Sequence, residues 1–473
     1  MTAAFTSSIF SAATTAVALQ FGVSTEVGIL GLSLYVLGFA TGPLLWAPLS
    51  ELRGRKLPLI ISMFGFSIFS IGTATGKDLQ TVLICRFFGG VFASCPLAVV
   101  AAVFSDMFDN KTRGLAITVF SMTVFTGPLL APFIGGFTVM NSGLGWRWTE
   151  YFAAIMGFLA LGLNVLFLEE TYPPIVLVEK AAELRRRTLN WGIHAKQEEI
   201  EVDFRELVTK NFSRPLRLLV TEPIVLLLSI YMAFIYGLLY LFLTAYPIVF
   251  QQIHHMNQGV GGLPYFGMVF GMLLAGAYIV YTQADYNKKL AANNGVTIPE
   301  WRLPPAIMGG VSFTCGLFWF GWSGYKADIH WIVPTLSGLL TGFGLLSIFL
   351  QALNYLVDAY LMLYVSHPSI HPSNSAFRTP VIEKPPQPNT SHSAASAIAA
   401  NTFLRSIAGA VFPLFSMYMF NALGVNWAGT LLGCVALILV PIPVVFWKYG
   451  AKIRQRSKFA PTAKPVPPPV EDE

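Results

Sequence analysis

Apolar runs long enough to cross a bilayer recur along the chain, separated by short polar breaks. A helix needs about 20 apolar residues to span the hydrocarbon core. Such runs fall at about 1–20, 27–49, 58–75, 79–104, 114–139, 149–168, 224–249, 262–282, 304–324, 329–352, 395–420 and 426–447. They form two groups of six. Between the groups lies Glu169 to Pro223, the most charged part of the chain. Leucines interleave with charges over Leu177–Arg187, which predicts a linker helix at the membrane surface or in the cytosol. The pattern predicts an all-α membrane protein. Its N-terminal half covers 1–168, a cytosolic linker 169–223, the C-terminal half 224–447 and a cytosolic tail 448–473.

Charge adds the orientation. With the loops after spans 2, 4, 6, 8 and 10 and the C-terminal tail on one side, that side holds 25 of the 30 Lys and Arg residues. The other side holds Lys77, Arg147 and Lys326, while Arg86 and Arg405 lie within spans. Cytoplasmic loops carry the basic excess, so both termini are expected in the cytosol. The net charge of +6 is then a topology signal and not a sign of a nucleic-acid partner. Only 11% of the residues are charged and mean hydropathy is +0.61, against roughly 25% charged in soluble domains. That excludes a cytosolic enzyme, a nucleic-acid binder and a secreted disulfide scaffold. Cys85, Cys95, Cys315 and Cys434 each sit in an apolar run and read as small core residues.

Two places depart from the pattern. The chain enters its first apolar run at Met1, so the first helix reads as truncated and the start codon is expected upstream. Residues 365–393 hold six prolines and no helical period, and they interrupt two spans that a tight turn would otherwise join. This insertion reads either as a cytosolic loop, cheap because closure entropy grows with the logarithm of length, or as a retained intron. Val365-Ser366 is what a GTAAGT donor would encode, and His392-Ser393 fits a CACAG acceptor.

Three motifs carry the functional reading. Glu51-Leu52-Arg53-Gly54-Arg55-Lys56 joins spans 2 and 3 and reads as a charge latch at a helix end. In span 4, Arg86 precedes Gly89-Gly90; an arginine there is costly and serves as a fixed positive charge. In span 5, Gly127-Pro128-Leu129-Leu130-Ala131-Pro132-Phe133-Ile134-Gly135-Gly136 removes backbone donors and side chains together, which predicts a kinked helix with a smooth face. These stretches resemble the signatures of the major facilitator superfamily. The last resembles the antiporter motif of its drug:proton antiporters, with Ala131 at the middle glycine. Leu52 stands where many members carry Arg. Glu170–Pro174, Asn211–Pro215, Pro299–Pro304 and Tyr355–Tyr360 look like fungal twelve-span drug:proton antiporters, the group of polyamine, fluconazole-type and mycotoxin exporters. The resemblance covers the chain except 365–393. It implies the major facilitator fold, two six-helix bundles related by a pseudo-two-fold axis around a central cavity, and a switch built on Glu51, Arg53, Gly54, Arg55 and Lys56.

No carboxylate stands in the middle of a span. Asp106, Glu150, Glu222 and Asp358 lie at span ends and read as interfacial, so proton coupling falls to Arg86 with Asp106 and Glu150. Scarcity of cavity acids favours neutral or weakly charged apolar substrates over polycations. The span-7 aromatics, among them Tyr231, Phe234 and Tyr240, are expected to line the cavity. Small residues at four-residue spacing, Gly38/Gly42, Gly267/Gly271/Ala275 and Gly338/Gly342, read as helix-packing faces. His254-His255 reads as loop, no P-loop occurs, and no catalytic or metal-ligating set is nominated. Asn110, Asn211 and Asn389 head acceptor triplets, all on the expected cytosolic side, so none is expected to carry glycan. The expectation is a plasma-membrane monomer that exports small amphipathic compounds against a proton gradient, with no cofactor and no nucleic acid. The alternatives are a polyamine exporter or a non-transporting membrane protein.

Overall fold

A computed structural model describes residues 1–108, 110–199, 213, 215–293, 297–361 and 391–456. Among these residues the regular structure is helical. The N-terminal half contains α1 (Thr2–Ile9), α2 (Thr14–Phe21), α3 (Thr25–Arg53), α4 (Lys56–Thr75), α5 (Leu79–Met107), α6 (Asn110–Met140) and α7 (Arg147–Phe167). The linker helix α8 is Pro173–Thr188. The C-terminal half contains α9 (Pro223–Tyr246), α10 (Tyr265–Ala292), α11 (Leu303–Ser323), α12 (Ile332–Leu361), α13 (Ser391–Leu439) and α14 (Pro441–Arg456). A π-helical turn, Pro247–Ile253, extends α9.

Among the described residues, ten helices are long and apolar enough to cross a membrane, or eleven if the bent pair Thr2–Ala12 and Thr14–Phe21 is one span. The last, Ser396–Gln455, is 60 residues long. Gly424, at φ +72°, breaks it into two arms, which accounts for the twelfth run in the sequence. The first span bends by 54° through a 3-10 turn at Phe10–Ala12. That bend lies on the glycine face of α3: a Cβ at Gly28 would meet the Thr14 carbonyl oxygen at 2.6 Å, and one at Gly31 would overlap the Phe10 ring. The insertion 365–393 lies outside the described residues except for Ser391–Ser393, which open α13.

The small-residue stripes are packing faces, and they repeat between halves. In the first half α3 crosses α5: a Cβ at Gly38 would sit 2.6 Å from the Gly90 carbonyl carbon. The Trp46 indole also donates to the Val91 carbonyl at 2.8 Å. In the second half α10 crosses α12, where a Cβ at Gly271 would lie 2.9 Å from the Phe343 amide. Close backbone approach of this kind substitutes for the hydrophobic drive that lipid removes. The halves meet along two seams. Gly409 of α13 faces Val36 of α3, and Phe133 of α6 faces Phe266 of α10 at 5.4 Å between ring centres.

Helix α6 runs unbroken through Pro128 and Pro132. Its glycine face is where α1 docks: a Cβ at Gly127 would meet the Phe5 amide at 3.1 Å, and one at Gly135 the Ile9 carbonyl oxygen at 3.0 Å. Gly136 faces across to the second half, where a Cβ would meet the Gln258 carbonyl carbon at 2.9 Å.

Gly90→Val is expected to destabilise the protein by about 1–3 kcal/mol through overpacking of α5 on the Tyr35 backbone. Thermal melting in detergent reads it; an unchanged midpoint would mean that these helices do not touch.

Candidate functional site

Arg86 lies inside the first half and is 1% exposed, as is Glu150. Their Nη1 and Oε1 atoms are 3.0 Å apart. The guanidinium spends its other donors on backbone that cannot turn away: Nε to the Gly31 carbonyl at 3.0 Å, and Nη1 and Nη2 to the Thr6 carbonyl at 3.3 and 3.4 Å. Phe10 and Tyr35 present ring faces to it at 4.6 and 4.3 Å. The Tyr35 hydroxyl donates to the Ala3 carbonyl at 3.0 Å. Helices α1, α3, α5 and α7 thus enclose one charge pair. The expectation that Glu150 is interfacial is corrected, because α1 and α4 pack against α7 and Arg86 of α5 meets the carboxylate inside the bundle. Glu222 is buried too, at 2%, and accepts from the Tyr360 hydroxyl at 3.2 Å.

Asp106 does not join Arg86. It accepts from Arg55 Nε at 3.1 Å, at the end of the first half that carries the basic loops. Arg55 also donates to Ser50 Oγ at 2.9 Å and lies over the Tyr172 ring at 4.5 Å. Burial pushes the Tyr172 phenol up, and the Glu51 carboxylate adds to it. Glu170 closes the loop: its carboxylate accepts the Arg55 amide at 2.8 Å and the Lys56 amide at 3.1 Å. Gly54 turns there at φ +85°, a conformation that favours glycine, and a side chain would collide with Glu170. Of the nominated switch residues, Arg55 therefore supplies the ion pair, Gly54 and Lys56 supply backbone, and Arg53 points to the surface.

The second half repeats this cluster. Arg302 stands before α11 as Arg55 stands before α4. Arg302 Nε pairs with Asp358 at 3.1 Å, and Asp358 ends α12 as Asp106 ends α5. The Tyr286 ring lies 3.7 Å from the Arg302 guanidinium. Glu300 pairs with Arg454 of α14, so the third member reverses its sign relative to Glu170. In the sequence Glu300 and Arg302 stand out only through the resemblance, Asp358 reads as an interfacial span-end carboxylate, and Tyr286 and Arg454 carry no signal of their own. Their repeat position in the second half was the signal that could have found them.

The span-7 aromatics divide. Tyr231 is core, since a Cβ at Gly310 of α11 would lie 2.7 Å from its hydroxyl. Phe234 packs on Phe412 of α13 at 6.2 Å between centroids. Tyr240 alone of the three reaches across, its hydroxyl 2.9 Å from Ser7 Oγ of α1. Between the halves lies a cavity of about 240 Å³. Its lining includes Ser11, Thr14, Thr25, Thr244, Gln251 and Gln258, with no charged residue and none of the three nominated aromatics. The chosen side chains point into helix contacts because α9 is buried on nearly every face. The cavity belongs instead to the end of α9, its π-turn and the bend of the first span. Groups of three or more metal-ligating side chains are absent among the described residues.

Residues 1–363 match the Major Facilitator Superfamily. The chain belongs to that superfamily. It is 51% identical over 97% of its length to an uncharacterized transporter of Schizosaccharomyces pombe, covering 79% of that protein. It is 47% identical over 96% of its length to the major facilitator superfamily multidrug transporter FLU1 of Candida albicans, covering 70% of that protein. Among solved structures, the proton:xylose symporter XylE shares 16% identity at a TM-score of 0.63, with 95% of this chain and 93% of that one aligned. The likeness to XylE shows the fold: two six-helix bundles with pseudo-two-fold symmetry. The protein is therefore a multi-pass membrane transporter of that superfamily.

Removing one member of a sealed ion pair strands the other, at about 3–5 kcal/mol, whereas apolar replacement of both is often neutral. Arg86→Ala is expected to melt far below the parent protein, and the double variant Arg86→Met/Glu150→Leu close to it. Differential scanning fluorimetry in detergent separates the two; single variants that melt with the parent would show that the pair is hydrated.

Proposed function

We propose that the protein exports small amphipathic compounds in exchange for protons by alternating access, with Glu150 as the proton-carrying acid. One observation carries the reading: the buried charge pair and the seam between halves share helix α1. Thr6 of α1 accepts from Arg86, while the next residue, Ser7, bonds Tyr240 of the second half. At the bend of the same span, the Ala12 carbonyl accepts from Gln258 of the second half at 2.5 Å. Helix α1 also rides on the Gly127 and Gly135 face of α6. A shift of α1 that opens or closes the seam changes what Arg86 can bond. That changes how strongly Arg86 holds Glu150 in its ionised form, because an opposite charge within hydrogen-bond reach favours the carboxylate. Protonation of Glu150 and movement of the halves are coupled in both directions, as linkage requires.

Arg55–Asp106 and Arg302–Asp358 act as paired latches at the basic end, one per half. That end is taken as cytosolic from the distribution of Lys and Arg, and the plasma membrane is the proposed location. Asp106 passes from proton coupling to the latch. The uncharged, hydroxyl- and amide-lined cavity supports amphipathic substrates rather than polycations, since no acid faces it. That the relative FLU1 is named a multidrug transporter supports the same substrate breadth.

In proteoliposomes with an imposed pH gradient, the parent protein is expected to drive uptake of a neutral fluorescent dye. Glu150→Gln should lose that gradient-driven uptake while keeping dye exchange without a gradient. Gradient-driven uptake at the parent rate in Glu150→Gln would remove the role assigned to this acid. Gly135→Val and Gly136→Val are each expected to slow both modes at least tenfold by wedging α1 or the Gln258 turn away from α6, an overpacking of about 1–3 kcal/mol. Initial rates at matched protein density check it, and parental rates in both variants would show an open lipid-facing surface.

A further inference from the structure

Arg405 is a cation that meets no acid among the described residues. Arg55, Arg86, Arg302 and Arg454 each face a carboxylate. Arg405 makes no ion pair among the described residues, and its Nε is enclosed without a hydrogen-bond partner. It lies on α13 one turn before Gly409, where a Cβ would meet Tyr236 and Tyr240 of α9 and Val36 of α3, each at 3.1 Å. The guanidinium therefore stands at the seam between the two bundles. It lies 4.8 Å from the centre of the Phe349 ring and 5.3 Å from that of Tyr236. Both rings touch Phe125 of the opposite half, at 4.5 and 6.3 Å between centroids. From Tyr236 a line of hydroxyls crosses the seam, 3.5 Å to Tyr240 and 2.9 Å on to Ser7.

Ring faces hold a guanidinium by its flat surface and leave its edge, where the N–H groups are, for a ligand. An arginine edge matches a carboxylate, which it can take through two parallel hydrogen bonds. We propose that Arg405 is the anion-recognising residue of the transport site, and that its ligands are amphipathic organic acids, an aromatic or apolar body bearing one carboxylate. This rests on the export reading and narrows its substrate class. The apolar body beds against Phe125 and Phe349, one from each half, so the ligand bridges the seam that must open. Its carboxylate neutralises a charge left unpaired among the described residues. The same charge repels amines, so polycations are the class this site turns away.

Three probes of one shape and different charge test it: 2-naphthoate, 2-naphthamide and 2-naphthylmethylammonium. Binding to the full chain in lipid nanodiscs is measured by quenching of tryptophan fluorescence. The parent protein is expected to bind the acid about tenfold or more tighter than the amide, a difference of about 1.4 kcal/mol or more, and the ammonium weakest. Arg405→Gln should bring acid and amide together while leaving the amide affinity near its parental value. Arg405→Lys should keep a reduced preference for the acid. A parent protein that binds the amide or the ammonium as tightly as the acid, or binds none of the three, overturns the proposal without recourse to any variant. So does an Arg405→Gln protein that is folded and still prefers the acid. The export reading is decided separately, by pH-driven uptake of the neutral dye.

Discussion

A charge inside a bilayer must find its counter-charge within the protein, and the first bundle is arranged around that requirement. Arg86 cannot shed its proton and cannot reach water from within four packed helices. Glu150 answers it from α7, the carbonyls of Gly31 and Thr6 take its remaining donors, and Phe10 and Tyr35 cover its faces. The partners come from three separate stretches of chain: the first span, α3 and α7. The pair therefore fixes how α1, α3, α5 and α7 stand relative to one another. The bend in the first span falls at the same point, with Phe10 against the guanidinium and Thr14 packed on Gly28 of α3.

The same accounting, applied at the basic end, yields two copies of one device. Arg55 with Asp106 and Arg302 with Asp358 tie a loop to the far end of the next-but-one helix, each with a tyrosine ring against the guanidinium. The third position is Glu170 in one half and Arg454, paired with Glu300, in the other. The halves share geometry but not sign. Close helix crossings repeat as well, α3 on α5 and α10 on α12, each through glycines at four-residue spacing. Two stiff bodies of this kind leave motion to the seams between them. Along those seams lie the uncharged cavity, the hydroxyl line from Ser7 to Tyr236, and Arg405.

Apolar spans and packing stripes are local properties, and they were legible because each is written in consecutive residues. Hydropathy over about 20 residues marks a span, Lys and Arg between spans mark a side, and a four-residue repeat of glycine marks a crossing. Gly127, Gly135 and Gly136 belong here too: a side-chain-free face on α6 announces a close neighbour, though not that the neighbour is α1 for two of them and the Gln258 turn for the third. The aromatic face assigned to the cavity misled for the complementary reason. Tyr231, Phe234 and Tyr240 lie on a helix surrounded on nearly every side, and periodicity does not tell a cavity from a neighbouring helix.

Partnership was settled by the tertiary structure alone. Asp106 and Glu150 look alike in the sequence, each a carboxylate near a span end. The fold sends one to Arg55 at the surface and seals the other against Arg86. Arg86 and Arg405 likewise both read as arginines inside spans, yet one is fully bonded and the other is left open at the seam. The sequence by itself marked the apolar runs and the smooth face of α6, since hydropathy and side-chain size act on each segment separately; the charge of the loops adds an expected sidedness. Which charges meet is a property of how segments far apart in the chain come together, as Arg55 with Asp106, 51 residues apart, and Glu300 with Arg454, 154 apart, illustrate. Pairing energy depends on distance in space, and distance along the chain carries no record of it.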